Sequence, residues 1–90
     1  METSFIDKAR SIVHGYALAH LDKTDHTPLF FDDVYVVWFC KTLQNWKALL
    51  STTIPDGMYY EVTYDGYRDA VYLDAYKKFE NCEITQWNEL

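Results

Sequence analysis

The chain has no long hydrophobic run. Its longest uninterrupted apolar stretch, Val34–Cys40, is seven residues, against the roughly 20 that a membrane-spanning helix needs, so no membrane association is expected. Basic side chains are few, 8 against 14 acidic ones, for a formal charge of -6 and a pI near 4.8. That balance disfavours a protein held mainly on phosphates, and nucleic acid is the weaker class of partner. The glycines, Gly15, Gly57 and Gly66, stand too far apart to cradle a phosphate. The Lys/Arg-Gly-Phe/Tyr signature of the RNA-recognition motif is absent as well. Cys40 and Cys82 form no C-x-x-C pair, and in a reducing compartment two such thiols are expected free and buried. No apolar segment follows Met1-Glu2-Thr3, so no secretory leader is expected.

What is present is material for a core. The 90 residues are 49% hydrophobic and 18% aromatic with only 24% charged, a composition that folds and suffices for one domain spanning 1–90. Phe5, Ile6, Ala9, Ile12, Val13, Tyr16, Ala17 and Leu21 recur at spacings of three and four, which predicts an amphipathic helix over about 4–21. Ser4 reads as its N-cap, with Asp7 three residues on. Gly15 lies inside it, either tolerated at about 1 kcal/mol or marking a close backbone approach. From Asp22 to Asp33 polar residues and Pro28 make a loop, whose Phe30-Phe31 pair is expected to fold back on the core.

The period then changes to two. Asp33–Leu43 is β-branched and aromatic, predicting a strand over 33–43 that is central in its sheet. Val34, Val36, Trp38 and Cys40 would share one face and Tyr35, Val37 and Phe39 the other. Gln44-Asn45 reads as a turn in which Asn takes the positive φ, and a second strand follows over 46–53. Ile54-Pro55-Asp56-Gly57 is the firmest turn, with Gly57 in the left-handed site, before a third strand over 58–64. Asp65-Gly66 signals another hairpin. Residues 70–77 then fit a fourth strand by alternation, while Tyr72, Ala75, Tyr76 and Phe79 also fit helical spacing. The Asp65-Gly66 turn favours the strand. Beyond it lies a short tail in which Ile84 and Trp87 would dock at i, i+3. The fold class is α+β: an N-terminal helix packed on an antiparallel meander of three or four strands.

No residue pattern dictates a chemistry, and an enzyme is not expected. His20, Asp22, Asp25 and His26 are the one local set with metal-ligand chemistry, at a spacing that matches no strong motif; no metal or cofactor is expected. Cys40 would need His14, His20 or His26 beside it to serve as a nucleophile. Charge is segregated, -3 over 1–33, zero over 34–64 and -3 over 65–90. The acidity serves solubility first and a partner second. Lys41, Gln44, Asn45, Trp46 and Lys47 gather polar groups and an indole at a turn and form the candidate binding surface; the plainer reading is a hairpin end with Trp46 in the core. Tyr35, Tyr59, Tyr64, Tyr72 and Tyr76 would alternatively stack the bases of a single strand. An exposed second or fourth strand would permit a homodimer.

Val36–Thr53, Asp56–Tyr64 and Tyr72–Asn81, together with His20-Leu21-Asp22-Lys23, resemble a domain family of unknown function found in small proteins of tailed phages and prophages of Gram-positive bacteria. The resemblance covers most of the chain. It implies an accessory phage protein made in the cytoplasm of a bacterial host, one that binds a host or phage protein, for instance a host factor of replication, transcription or defence, or that assists phage DNA metabolism. It implies no particular site residue.

Overall fold

The computed structural model of the protein describes residues 2–21 and 28–90. Helix α1 runs over Glu2–Ala19, and a single 3₁₀ turn over Phe31–Asp33 leads into strands β1 (Val34–Thr42), β2 (Asn45–Thr52), β3 (Met58–Asp65) and β4 (Ala70–Lys77). The strands form one antiparallel sheet in the order β1-β2-β3-β4. Residues 70–77 are therefore strand, and the α+β class stands. The helix begins two residues before Ser4, which lies in its first turn rather than capping it, and ends at Ala19. Gly15 has open space where a Cβ would be, so no backbone approaches it.

The apolar stripe of α1 lies on one face of the sheet. Ala9 and Val13 are fully buried against Val34, Ala48, Leu50, Tyr60 and Val62, with Phe5, Ile12, Tyr16, Val36, Phe39, Met58 and Leu73 packed around them. Alanine at positions 9 and 48 lets the helix come close to the strands, and larger side chains fill the space on either side. At one end Phe5 stacks on Trp46 (5.7 Å between centroids) and Trp46 on Phe39 (5.4 Å). At the other, Tyr16 meets Tyr60 edge-on at 5.8 Å. The helix lies over β1, β2 and β3; Val71 on β4 stays half-exposed.

Arg10 anchors the entry to the sheet. Its Nε donates to the Val34 carbonyl at 3.0 Å and its Nη2 to the Phe31 carbonyl at 3.2 Å, and the guanidinium sits 4.2 Å from the Phe31 ring centroid. Phe31 thus packs under Arg10, whereas Phe30 is exposed and Leu29 is the residue that enters the core.

Strand β1 departs from expectation in two ways. It is an edge strand, not a central one. Its register also shifts between Val36 and Trp38, where Val37 bulges out. One extra residue reverses the alternation beyond it. Phe39 consequently joins Val34 and Val36 on the helix side, opposite Ala48, and Trp38 and Cys40 turn to the other face, opposite Leu49 and Lys47. That reversal is why Cys40 is exposed rather than buried.

The turns follow local chemistry. Gly57 takes φ 73° and the Asp56 carboxylate accepts the Met58 amide at 3.0 Å, as expected for Pro-Asp-Gly. The β1–β2 turn is Leu43-Gln44, and Leu43, not Asn45, holds the positive φ of 56°. After β4 the Lys78 amide donates to the Gly57 carbonyl at 2.7 Å. The tail then leaves the sheet, with a 3₁₀ turn at Trp87–Glu89. Ile84 and Trp87 do not dock; Phe79, Ile84, Trp87 and Leu90 are all exposed, because no element of the described chain lies over them.

Candidate binding face

Among the described residues no element covers the sheet face away from α1. Register places Tyr35, Trp38, Cys40 and Thr42 of β1 on it, with Lys47 and Leu49 of β2, Tyr59, Glu61 and Thr63 of β3, and Tyr72, Asp74 and Tyr76 of β4. Trp38, Tyr35, Tyr72 and Tyr76 are 40–52% exposed. Tyr35 and Trp38 stand on one edge strand and Tyr72 and Tyr76 on the other, with Lys47, Leu49, Tyr59, Glu61 and Thr63 between them, and so many exposed large side chains on one face mark a candidate interaction surface. At its upper end the face deepens into a hollow of about 590 Å³ lined by Cys40, Thr42, Lys47, Thr63, Arg68 and Tyr72 among others.

Two hairpin tips shape that hollow. The Gly66 amide donates to Asn45 Oδ1 at 3.0 Å, and a Cβ on Gly66 would fall 2.1 Å from the Gln44 carbonyl oxygen. Only a residue without a side chain allows this contact. Asp65 turns the loop by accepting the Tyr67 amide at 3.0 Å and the Arg68 amide at 3.3 Å, and Asp69 adopts φ 49°. The Tyr64 hydroxyl donates to Asp69 Oδ1 at 2.9 Å, and this bond, chiefly, raises the phenol above its ordinary pKa.

The charges of the face form a short row. Lys47 Nζ lies 3.4 Å from Glu61 Oε1, a diagonal cross-strand pair worth a few tenths of a kcal/mol at this exposure. Asp74 stands directly opposite Glu61. Two carboxylates at that spacing repel, and the one lysine, paired with Glu61, leaves the three groups net negative.

The five residues nominated from the sequence are divided between the faces. Asn45, Trp46 and Lys47 line the hollow. Gln44 lends its backbone to the Gly66 contact. Trp46 is nearly buried in the stack with Phe5 and Phe39, and Lys41 lies on that same side with its Nζ 5.3 Å from the indole centroid. The sequence singles out Tyr72 only as one of five stacking tyrosines and leaves Trp38, Glu61 and Asp74 unmarked. Their grouping depends on strand pairing across 36 residues of chain and on the bulge at Val37, which no local pattern reveals.

His20 caps α1 through Nδ1 and the Tyr16 carbonyl (2.8 Å) and stacks on the Tyr16 ring; Asp22, Asp25 and His26 lie outside the described residues. Among the described residues no cluster of His, Cys, Asp and Glu has metal-binding geometry. His14 pairs with the Leu29 carbonyl at 2.8 Å, on the helix side of the sheet, away from Cys40. Cys82 donates its thiol to Glu80, which raises that thiol above its usual pKa. No helix of the described residues is long and apolar enough to cross a membrane.

Fold and face together define a small α+β protein with one helix-covered sheet surface and one open aromatic surface. Residues 6–86 match the family of unknown function DUF6275, and the chain belongs to that family. Comparison with curated proteins and with solved structures gives no match.

Proposed function

We propose that this protein is a non-enzymatic binding module that holds another protein against its open sheet face. The observation that carries the reading is the set Tyr35, Trp38, Tyr72 and Tyr76, each at least 40% exposed on this face, with Tyr72 lining the hollow. Tyr and Trp are the side chains most often found as energetic anchors of protein interfaces. The Glu61–Asp74 pair selects the partner's chemistry: a Lys or Arg placed between these carboxylates relieves their repulsion. The partner therefore presents apolar groups around a basic side chain. The resemblance to small phage proteins makes a host or phage protein in the bacterial cytoplasm the natural partner. The test is affinity for the partner isolated from cells carrying the gene. Trp38→Ala or Tyr72→Ala should weaken it tenfold or more, and Ser11→Ala, on the helix, should not. Equal effects at all three positions would reject the face.

A second reading, single-stranded nucleic acid stacked on the same aromatics, is favoured by their exposure on an open sheet. The charge opposes it, since Lys47 is engaged by Glu61 and Asp74 adds a further negative group. Quenching of Trp fluorescence by oligonucleotides at low salt would establish it, and undiminished emission would remove it.

A further inference from the structure

The chain exposes more surface than a folded monomer of its mass. Its accessible area is 6837 Å², whereas about 5,500 Å² is expected at 10.7 kDa. Its radius of gyration is 15.4 Å, against about 12 Å for a compact chain of this length. Two features account for the described part of that excess. One is the C-terminal arm, Phe79–Leu90, whose Phe79 and Leu90 are 97% and 103% exposed. The other is a groove of about 330 Å³ on the helix side of the sheet, where α1 stops short of β4, floored by Trp46, Tyr64 and Val71 and walled by Phe5, Ala9 and Ile12.

We propose that the arm of one copy fills the groove of a second, reciprocally, in a two-fold dimer. Direction decides between copies. The groove opens at the start of β4, beside Asp69 and Val71, and the arm leaves from the far end, past Lys77, about 20 Å along the strand. To reach its own groove the arm would have to reverse and retrace that length. In a second copy whose β4 runs antiparallel beside the first, the end of one β4 lies next to the start of the other, and each arm arrives at the partner's groove without turning. β4 suits such pairing. It is an edge strand with an unbroken register and no proline, unlike the bulged edge β1. The area allows it: covering about half of the excess of about 1,300 Å² on each chain gives about 1,300 Å² in total, within the range of specific interfaces. Lys8 on the groove wall meets an arm that carries Glu80, Glu83 and Glu89. The surface used is opposite the open face, so the dimer would present two binding faces.

Sedimentation equilibrium of the full chain tests this. A species of twice 10.7 kDa is expected at micromolar concentration. In the full-length chain, Ile84→Asp with Trp87→Asp should weaken association tenfold or more with an unchanged far-UV circular dichroism spectrum, since neither side chain packs on its own body. Val71→Asp, at a half-exposed groove position, should do the same. Mixing the arm variant with the groove variant should give a mixed dimer tighter than either self-association, because one intact arm then meets one intact groove. A full chain that stays monomeric, a dimer indifferent to these changes, or a mixture no tighter than its components would each overturn the proposal.

Discussion

The Gly66 amide donates to Asn45 Oδ1 at 3.0 Å, and this bond joins two hairpins that are separated in sequence by β2 and β3. It fixes the rim of the hollow, because Lys47 and Thr63 hang from strands whose ends it clamps together. Gly66→Ala should cost about 2–3 kcal/mol by overpacking against the Gln44 carbonyl, and Asn45→Ala about 1 kcal/mol by loss of the bond. Urea denaturation with an unchanged slope measures both.

Leu43 holds a φ of 56°, a conformation that costs a non-glycine residue about 1–2 kcal/mol. Its side chain is exposed, so little packing is lost on replacement. Leu43→Gly should raise stability by up to about 1 kcal/mol, or several degrees in Tm. A lower Tm would show that the turn is fixed by something other than local backbone preference.

Burial raises the Tyr60 phenol above its ordinary value of 10.0, with Asp56 and then Tyr16 adding to the effect. The folded state therefore keeps this proton at a pH where the unfolded chain has lost it. The associated stability is fully present below about pH 10 and falls as pH rises from there through the folded-state value. Tyr60→Phe should flatten the alkaline decline in Tm measured between neutral pH and pH 11, and leave the acid side unchanged.

Asp74 faces Glu61 directly across β3 and β4, an arrangement that costs stability. Asp74→Lys should increase stability by about 0.5–1 kcal/mol by converting repulsion to a cross-strand ion pair. If the open face receives a basic group, the same change should abolish binding. Gain of stability with loss of function at one position is what a site kept for a partner shows, and it would separate a binding role from a purely structural one.

Most of the fold was legible because its signals are local. The i, i+3, i+4 stripe from Phe5 to Ala17 gave the helix, and alternation with Pro55-Asp56-Gly57 and Asp65-Gly66 gave the strands to within a residue or two. What was not legible depends on pairing. The bulge at Val37 moves Trp38 and Cys40 to the open face, yet the sequence around it is simply apolar on both parities. The Glu61–Asp74 opposition and the Gly66–Asn45 contact exist only in the assembled sheet. The turn near residues 43–45 is legible but its strained residue is not, since Asn is the better left-handed residue and here bonds another hairpin instead. Ile84 and Trp87 have the spacing of a docking helix, but both side chains are exposed.

The most direct measurement places a photo-crosslinking amino acid at Tyr72 on the open face and, separately, at Ser11 on the helix, in cells that carry the gene, and identifies adducts by mass spectrometry. A binding module that uses the open face gives one dominant protein adduct from position 72, lost when Asp74→Lys is added, and no such adduct from position 11. The same adduct from both positions, or an adduct at position 72 that survives Asp74→Lys undiminished, would contradict recognition through this face.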